Sequence, residues 1–453
     1  METVNENQSQ KQTPEKKSIK ETFQNSILTK LIIITVLILL LLIPNSWIQS
    51  IIKEREQMNQ AATEEVSEKW ANAQRISGPI LTIPLVYEVQ KGEDTQEVRK
   101  NLKVLAQNLE VKGTVEPEKL KRGIYEVVVY RSDFNVSGNF NLEGLIDSNK
   151  VKSIDYDNAW LSIGISDLRG IKNNIKVKLD RKRFEVEPGT KVPELLSSGV
   201  MSKISSIEGK KQLDFDYQLQ LNGSKTVEFI PNGGNTSIKI QSAWNAPSFN
   251  GKFLPDVREV NQDGFTAEWK ILQLNKNMPT SWLEGNLHNR FNDSAFGVDL
   301  ILPLDDYQKS MRSAKYAVLT IVLTFLVFFL VEITSKRRIH PFQYTLVGLA
   351  ICLFYILLVS ITEHLNFNLA YGLASLGVVG LIVAYSFSVF KKTSLSILLL
   401  FVLSGLFGFL FTTLQLADFA LLMGSVGLLI ILAITMFSTR NINWYKLNLD
   451  SNN

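Results

Sequence analysis

Ionisable side chains beside long apolar runs are the residues of this sequence with the clearest capacity for chemistry. Glu363 and His364 end one apolar run, and Asp418 begins another. Ionisable groups at such places often mark ion or proton pathways, so one hypothesis is a proton- or cation-responsive cluster that faces an outer cavity. The simpler alternative is that all three side chains lie at a membrane interface, in contact with solvent, where their helices end.

The turn "SKRRIHPFQY" combines cations, a histidine and a proline between two apolar runs. Pro341 suits the first turn of the following helix, where no amide donor is needed, and it keeps His340 extended. His340 is expected to be structural, with sensing of pH as the alternative. Glu332 is expected to form a structural ion pair with Arg337 or Arg338. The cations expected to anchor this turn at an anionic membrane surface are Lys336, Arg337 and Arg338.

Sequence motifs of well-known enzymes are missing from this chain. It contains no His-Glu-x-x-His, Cys-x-x-Cys, Gly-x-Ser-x-Gly or phosphate-binding glycine loop. Of its three histidines, His340 and His364 lie at opposite ends of one apolar run. They are about 30 Å apart at 1.5 Å per helical residue, so they cannot share a ligand within one chain. We expect no catalytic residue, cofactor or metal ion; a pair of converging carboxylates is the enzymatic alternative.

The sequence contains six apolar runs, each with about the length needed to cross a hydrocarbon core of roughly 30 Å. The first is followed by "PNSWIQSIIKERE" rather than by the small residues of a cleavage site, so it is expected to be an uncleaved signal anchor. The polar segment 1–26 predicts a disordered cytoplasmic tail, and 439–453 a second cytoplasmic tail. The expected spans are 27–47, about 316–334, 341–361, 367–390, 394–415 and 418–437, the last five forming a bundle over 314–438.

Lysine and arginine are distributed unevenly around these runs. Of the 48 Lys and Arg residues, 13 lie outside residues 48–313. With the N-terminus in the cytoplasm, twelve of these 13 fall on the cytoplasmic side, as the positive-inside rule requires. This pattern predicts that both termini are cytoplasmic and that residues from about 48 to 313 are exported. The cations that anchor this topology are Lys336, Arg337, Arg338, Lys391, Lys392 and Arg440.

The exported segment 48–313 has the composition of a soluble domain. It contains 35 Lys and Arg against 36 Asp and Glu, so the net charge of +4 on the whole chain arises elsewhere and does not indicate nucleic-acid binding. The single cysteine, Cys352, lies in the third expected span. The exported domain therefore has no disulfide and depends on its hydrophobic core.

Residue periodicity changes along this exported segment. Apolar residues recur every three or four positions over 53–76, which predicts an amphipathic helix that continues from the first span. From 77 to 313 the stretches are short, β-branched and bounded by Gly, Pro, Asn and Asp. "PNGGN" and "NQDG" each predict a hairpin. We expect antiparallel sheets packed as a sandwich, in one or two lobes.

The expected fold is thus a multi-pass α-helical membrane protein with a large, mainly-β exported domain between spans 1 and 2. Ten separate blocks of this chain, in order from about Leu28 to Tyr445, resemble the CreD family. They include "SGPILTIPLVYEV", "RGIYEVVVYRSDF", "AWNAPSFNGKFLPDVREV" and "RIHPFQYTLVGLAICLFYILLVSITEH". The resemblance implies a Gram-negative inner-membrane protein with a periplasmic domain. It further implies membership of the regulon of the CreBC two-component system, with a role in envelope stress and the β-lactam response.

Three hypotheses for function follow, none with catalytic residues to carry over from the family. The first is a non-enzymatic envelope-integrity factor whose periplasmic domain binds an envelope protein or a cell-wall component. The second is a small-molecule or ion transporter that uses the end of the bundle with Glu363, His364 and Asp418. The third is an enzyme that modifies the envelope. In each case the lipid bilayer is a partner and nucleic acid is not.

Overall fold

The fold divides into two units. The computed structural model describes residues 27–91, 94–146, 151–205, 207–285, 287–301, 306–335, 338–416 and 419–440. One unit, here called the bundle, comprises Met1–Gln57 and Leu304–Asn453, and the other, the β domain, comprises Met58–Pro303.

Eight α-helices are present in the described residues. They are α1 Ile27–Trp70, α2 His288–Asn292, α3 Asp306–Lys315, α4 Ala317–Ser335, α5 Pro341–Thr362, α6 Phe367–Phe390, α7 Thr393–Gln415 and α8 Ala420–Thr439. Helix α1 is continuous and includes Pro44. The amphipathic helix expected over 53–76 is its last part, but it ends earlier, at Trp70. The N–H of Asn72 donates instead to the Asp167 carboxylate at 2.9 Å, and strand β1 begins at Gln74.

Five of these helices, α1 and α5 to α8, are long and apolar enough to cross a membrane. Helices α3 and α4 form a sixth candidate, bent by 43° where they meet. The bend lies at Tyr316, whose N–H donates to the carbonyl of Ser313 at 3.0 Å, three residues back rather than four. The described residues therefore contain five candidate spans, or six if α3 and α4 together form one span; six were expected.

Helix α1 packs against the other helices of the bundle. Its buried apolar residues form one stripe, consisting of Ile34, Leu41, Ile48 and Ile52. Helix α1 approaches α5 closely at Gly348, where a Cβ atom would lie 2.2 Å from Cδ1 of Leu41. Because lipid is as apolar as leucine, such contacts stabilise a bundle through close packing rather than through exclusion of water.

The β domain contains seventeen strands in the described residues. They are β1 Gln74–Lys91, β2 Asp94–Arg122, β3 Tyr125–Asn141, β4 Ser153–Ile154, β5 Trp160–Ile165, β6 Lys176–Leu179, β7 Lys182–Glu185, β8 Glu187–Pro188, β9 Gly199–Lys203, β10 Gln212–Ser224, β11 Thr226–Ile230, β12 Gly233–Ser242, β13 Pro247–Gly251, β14 Val257–Asn261, β15 Gly264–Ile271, β16 Ser281–Trp282 and β17 Phe296–Leu300.

Two sheets share the long strand β2. Its first part, to Leu105, pairs with β1 in the first sheet, which also contains β4, β5, β8, β9, β11, β13, β16 and β17. Its second part, from Ala106, pairs with β12 and β3 in the second sheet, which also contains β6, β7, β10, β14 and β15. Most pairs are antiparallel as expected, but β1–β11 and β2–β12 are parallel.

Side chains of the two sheets pack against each other. Strand β10 alternates between buried and exposed residues, the pattern of a strand with one face on a core. Phe134 of the second sheet meets Phe229 of the first edge to face, with ring centroids 5.3 Å apart. Trp269 of the second sheet and Phe296 of the first form another ring contact, tilted by 50°, with centroids 5.6 Å apart. These rings belong to one large cluster of buried apolar residues, so the sheets share a core.

The two expected hairpins have different outcomes. "NQDG" joins β14 to β15 with Asn261 opposite Gly264, so this hairpin is confirmed. "PNGGN" is not a hairpin, because β11 pairs with β1 and β17, whereas β12 pairs with β15 and β2. It carries the chain from the first sheet to the second. The amide of buried Asn232 donates to Ser77 Oγ at 2.6 Å, and a Cβ on Gly233 would lie 2.7 Å from Cβ of Leu109.

The side chain of Lys276 contacts the backbone of this crossing segment. Its ammonium group donates to the carbonyl of Gly233 and, at 3.1 Å, to that of Pro231. Burial lowers the pKa of Lys276 from 10.5 to about 8, since a low-dielectric environment disfavours the charged form.

This pKa shift predicts a stability difference that depends on pH. Between about pH 8 and 10.5 the unfolded chain binds more protons than the folded chain, so the folded chain gains stability as pH rises. We expect the unfolding free energy of the wild type to rise by about 1–3 kcal/mol relative to Lys276→Met across this range. Thermal unfolding of the full chain in detergent measures it. Lys270→Met, which removes an exposed lysine, should show no such trend; a parallel trend in both variants would contradict the prediction.

Candidate functional site

A buried carboxylate lies where three helices meet at one end of the bundle. Glu332, in the last turn of α4, is 1% exposed. It forms an ion pair with Lys30 of α1. Its Oε1 also accepts the N–H of Ile339 at 2.9 Å, and its Oε2 accepts the hydroxyl of Tyr344, on α5, at 2.9 Å. Lys30 in turn donates to the carbonyl of Ile339, so the four residues form one connected network, here called the Glu332 network.

Aromatic rings hold the tyrosine of this network in place. Tyr344 is fully buried. Phe325 meets its ring edge to face at 5.4 Å, and Phe328 lies against it at 6.0 Å. The Tyr344 hydroxyl therefore has a fixed position from which to donate to Glu332.

The Glu332 network ties the beginning of the chain to residues about three hundred positions later. Sequence analysis gave Glu332 the partners Arg337 or Arg338, and the structure supplies Lys30, a partner not considered there. Arg337 lies outside the described residues. A buried carboxylate without partners is strongly unfavourable, so each of these contacts contributes to holding α1, α4 and the start of α5 together.

His340 caps helix α5 beside this network. Its backbone is extended, with φ −70° and ψ 141°, and Pro341 occupies the first turn, both as expected. The ring Nδ1 accepts the N–H of Phe342 at 3.2 Å, and the His340 N–H donates to Gln343 Oε1 at 3.0 Å. The side chain thus satisfies a free amide at the helix start, which is a structural role. Its suggested sensing of pH stays a hypothesis.

Two members of the suggested transport cluster, Glu363 and His364, lie at the opposite end of α5. Glu363 ends this helix and forms an ion pair with Arg55 of α1, with Nε and Oε1 3.3 Å apart. His364 is exposed, and its N–H donates to the carbonyl of Ile361 at 3.0 Å. Asp418, the third member, lies outside the described residues. The structure therefore brings Glu363 to an arginine that sequence analysis did not consider.

The described topology anchors are exposed at turns and at a helix end. Lys391, with a left-handed φ of 49°, ends α6, and Lys392 precedes α7. Arg440 follows α8, with its guanidinium 5.1 Å from the ring of Phe437. Arg338 is also exposed, whereas Lys336 and Arg337 lie outside the described residues. Within the described ranges no group of three or more His, Cys, Asp or Glu side chains is placed to hold a metal ion.

The Lys30–Glu332 and Arg55–Glu363 ion pairs each join α1 to a later part of the bundle, and both were missed by sequence analysis. A signal for them exists in the sequence. Lys30 and Glu332 are single opposite charges near the ends of two apolar runs that are expected to end at the same membrane face. Since a lone charge near lipid needs a partner, opposite lone charges at one depth are candidates for a pair.

We expect removal of one member of the Glu332 network to destabilise the bundle. Glu332→Gln leaves the Lys30 ammonium without its counter-ion in a buried place, at a cost of about 3–5 kcal/mol. Glu363→Gln, the same substitution at the more exposed pair, should cost about 1 kcal/mol or less. Unfolding of the full chain in detergent measures both.

Double replacement distinguishes a coupled pair from two independent contacts. Lys30→Met with Glu332→Met should be less destabilising than the sum of the two single changes, because neither charge is then left alone. Simple additivity would contradict the coupling.

Comparison with known proteins identifies the family of this chain. A family model described as "Inner membrane protein CreD" matches residues 26–445. The inner membrane protein CreD of Escherichia coli (strain K12) is 35% identical over 419 residues, which cover 91% of this chain and 92% of that protein. The chain therefore belongs to the CreD family of inner membrane proteins.

Proposed function

We propose that this protein maintains cell-envelope integrity under stress, without catalysis, by binding an envelope protein through its β domain. The family name places relatives in the inner membrane. The observation that carries the proposal is an exposed edge strand in the β domain.

Strand β14 presents this open edge. Among the described pairings its partner is β15, on one side. All five of its residues are exposed, including the apolar Val257 (46%) and Val260 (49%). An exposed strand edge has free backbone donors and acceptors, and it binds an extended peptide by adding a strand to the sheet. Arg258 and Glu259 lie between the valines, and such charges limit unspecific aggregation.

The proposal requires the β domain to lie on the periplasmic side. The exposed cations Arg338, Lys391, Lys392 and Arg440 support this orientation, because basic residues beside membrane spans are retained in the cytoplasm. Both termini are then cytoplasmic, and residues from about 48 to 313 are periplasmic.

Labelling of introduced cysteines tests this orientation. In a Cys352→Ser background, Gln262→Cys places a thiol in the β14–β15 hairpin, and Thr393→Cys places one beside Lys392. A membrane-impermeant maleimide should label the first in intact spheroplasts and the second only after permeabilisation. Labelling of Thr393→Cys in intact spheroplasts would reverse the proposed orientation.

Photo-crosslinking in intact cells under envelope stress tests the proposed partner surface. A crosslinking amino acid at Val260 should give a discrete product with an envelope protein, identified by mass spectrometry. The matched control is Val89 of the first sheet, which is 45% exposed, and it should give no such product. Equal products from both positions, or none from Val260, would contradict binding at β14.

The transport hypothesis makes a different prediction in the same cells. If the bundle transports an ion, Glu363→Gln should abolish survival under envelope stress in a protein that folds normally. Envelope integrity through β14 predicts that Glu363→Gln supports survival as the wild type does, whereas Val260→Asp, which places a charge on the edge, does not.

A further inference from the structure

A long apolar groove lies between helices α4, α7 and α8. Its volume is about 750 Å³. Most of its lining is aliphatic or aromatic, for example Leu323, Leu330, Leu398, Phe409, Met423 and Ile434. Among its few polar side chains, Thr435 and Ser438 lie near one end of α8. A groove of this size and character suits an elongated apolar ligand.

The groove runs along the helices rather than across them. On α7 its lining extends from Leu395 to Phe409, and on α8 from Met423 to Ser438. At 1.5 Å per residue, each stretch is about 20 Å long. One leaflet contributes about half of a 30 Å hydrocarbon core, so the groove has the length needed for a lipid acyl chain.

One end of the groove lies beside exposed cations. Lys392 immediately precedes α7, three residues before the lining residue Leu395. Arg440 follows α8, two residues after the lining residue Ser438. Both side chains are exposed. An apolar groove alone would accept the chain of any lipid, whereas cations at its mouth favour an anionic head group.

We propose that this groove binds an anionic phospholipid, with one acyl chain between α4, α7 and α8 and the phosphate group at Lys392 and Arg440. The cations at the mouth favour the anionic head group. The length of the groove and its apolar lining suit the acyl chain. The site is distinct from the Glu332 network and from strand β14. This inference therefore does not depend on the proposed function.

Two glycines on α7 provide a matched pair of variants. Gly405 lines the groove, and Gly408 lines a separate cavity of about 530 Å³ between α6 and α7. A Cβ atom at either position meets no atom within 4 Å, so a side chain can begin at both positions without a clash at Cβ. Gly405→Leu fills the proposed site, and Gly408→Leu makes the same change in the same helix outside it.

Native mass spectrometry of the full chain, purified in mild detergent and mixed with defined lipids, tests the proposal. The wild type should retain phosphatidylglycerol at least tenfold more than phosphatidylethanolamine. Gly405→Leu should lose this retention at least tenfold, and Gly408→Leu should keep it. Lys392→Gln with Arg440→Gln should abolish the preference for the anionic lipid, whereas Lys315→Gln, an exposed lysine that ends α3, should not.

The opposite results would overturn the proposal in specific ways. Equal retention of the two lipids by the wild type would exclude selection by charge. Equal losses in the two glycine variants would show that the groove is not the binding place. If Gly405→Leu fails to fold, the charge variants decide the question. An unchanged preference for the anionic lipid in the double variant Lys392→Gln with Arg440→Gln, as in Lys315→Gln, would refute the assignment.

Discussion

The carboxylate of Glu332 is almost completely buried, so each of its oxygens needs a partner. The contacts that supply these partners hold this end of the bundle together. Its partners come from α1, from the turn before α5 and from α5 itself. Because Lys30 is among them, separation of α1 from the other helices would leave the Glu332 carboxylate without its counter-ion. The Glu332 network thus joins the part of the chain before the β domain to the part after it.

The two units differ in the contacts that their residues make. In the bundle, two carboxylates near the ends of α5 are paired with α1, Glu332 with Lys30 and Glu363 with Arg55. In the β domain, the shared strand β2 and the inter-sheet rings form the core, and β14 lies at an edge with all its residues exposed. The open edge at β14 is the feature on which the proposed binding role rests.

Local patterns in the sequence predicted local structure well and long-range pairing poorly. "NQDG" specifies a hairpin through its own backbone preferences, and Pro341 and His340 specify a helix start in the same way. "PNGGN" has the same type of residues, but its path depends on Ser77 and Leu109, more than a hundred residues away. The stretches of the β domain were expected to be short, but β2 runs over 29 residues because it pairs with β1 in one sheet and with β3 and β12 in the other. The Lys30–Glu332 pair was missed because it too depends on residues far apart in the sequence.

The amide of Ile339 reports on the central claim most directly, because it lies outside the helices and its acceptor is the Glu332 carboxylate. Hydrogen–deuterium exchange at single-residue resolution, with the full chain in a lipid bilayer, measures its protection. The account predicts slow exchange at Ile339, comparable to that of the amides within α5, and a marked acceleration in Lys30→Met. Rapid exchange in the wild type, or unchanged protection in Lys30→Met, would show that the Glu332 network does not hold this end of the bundle.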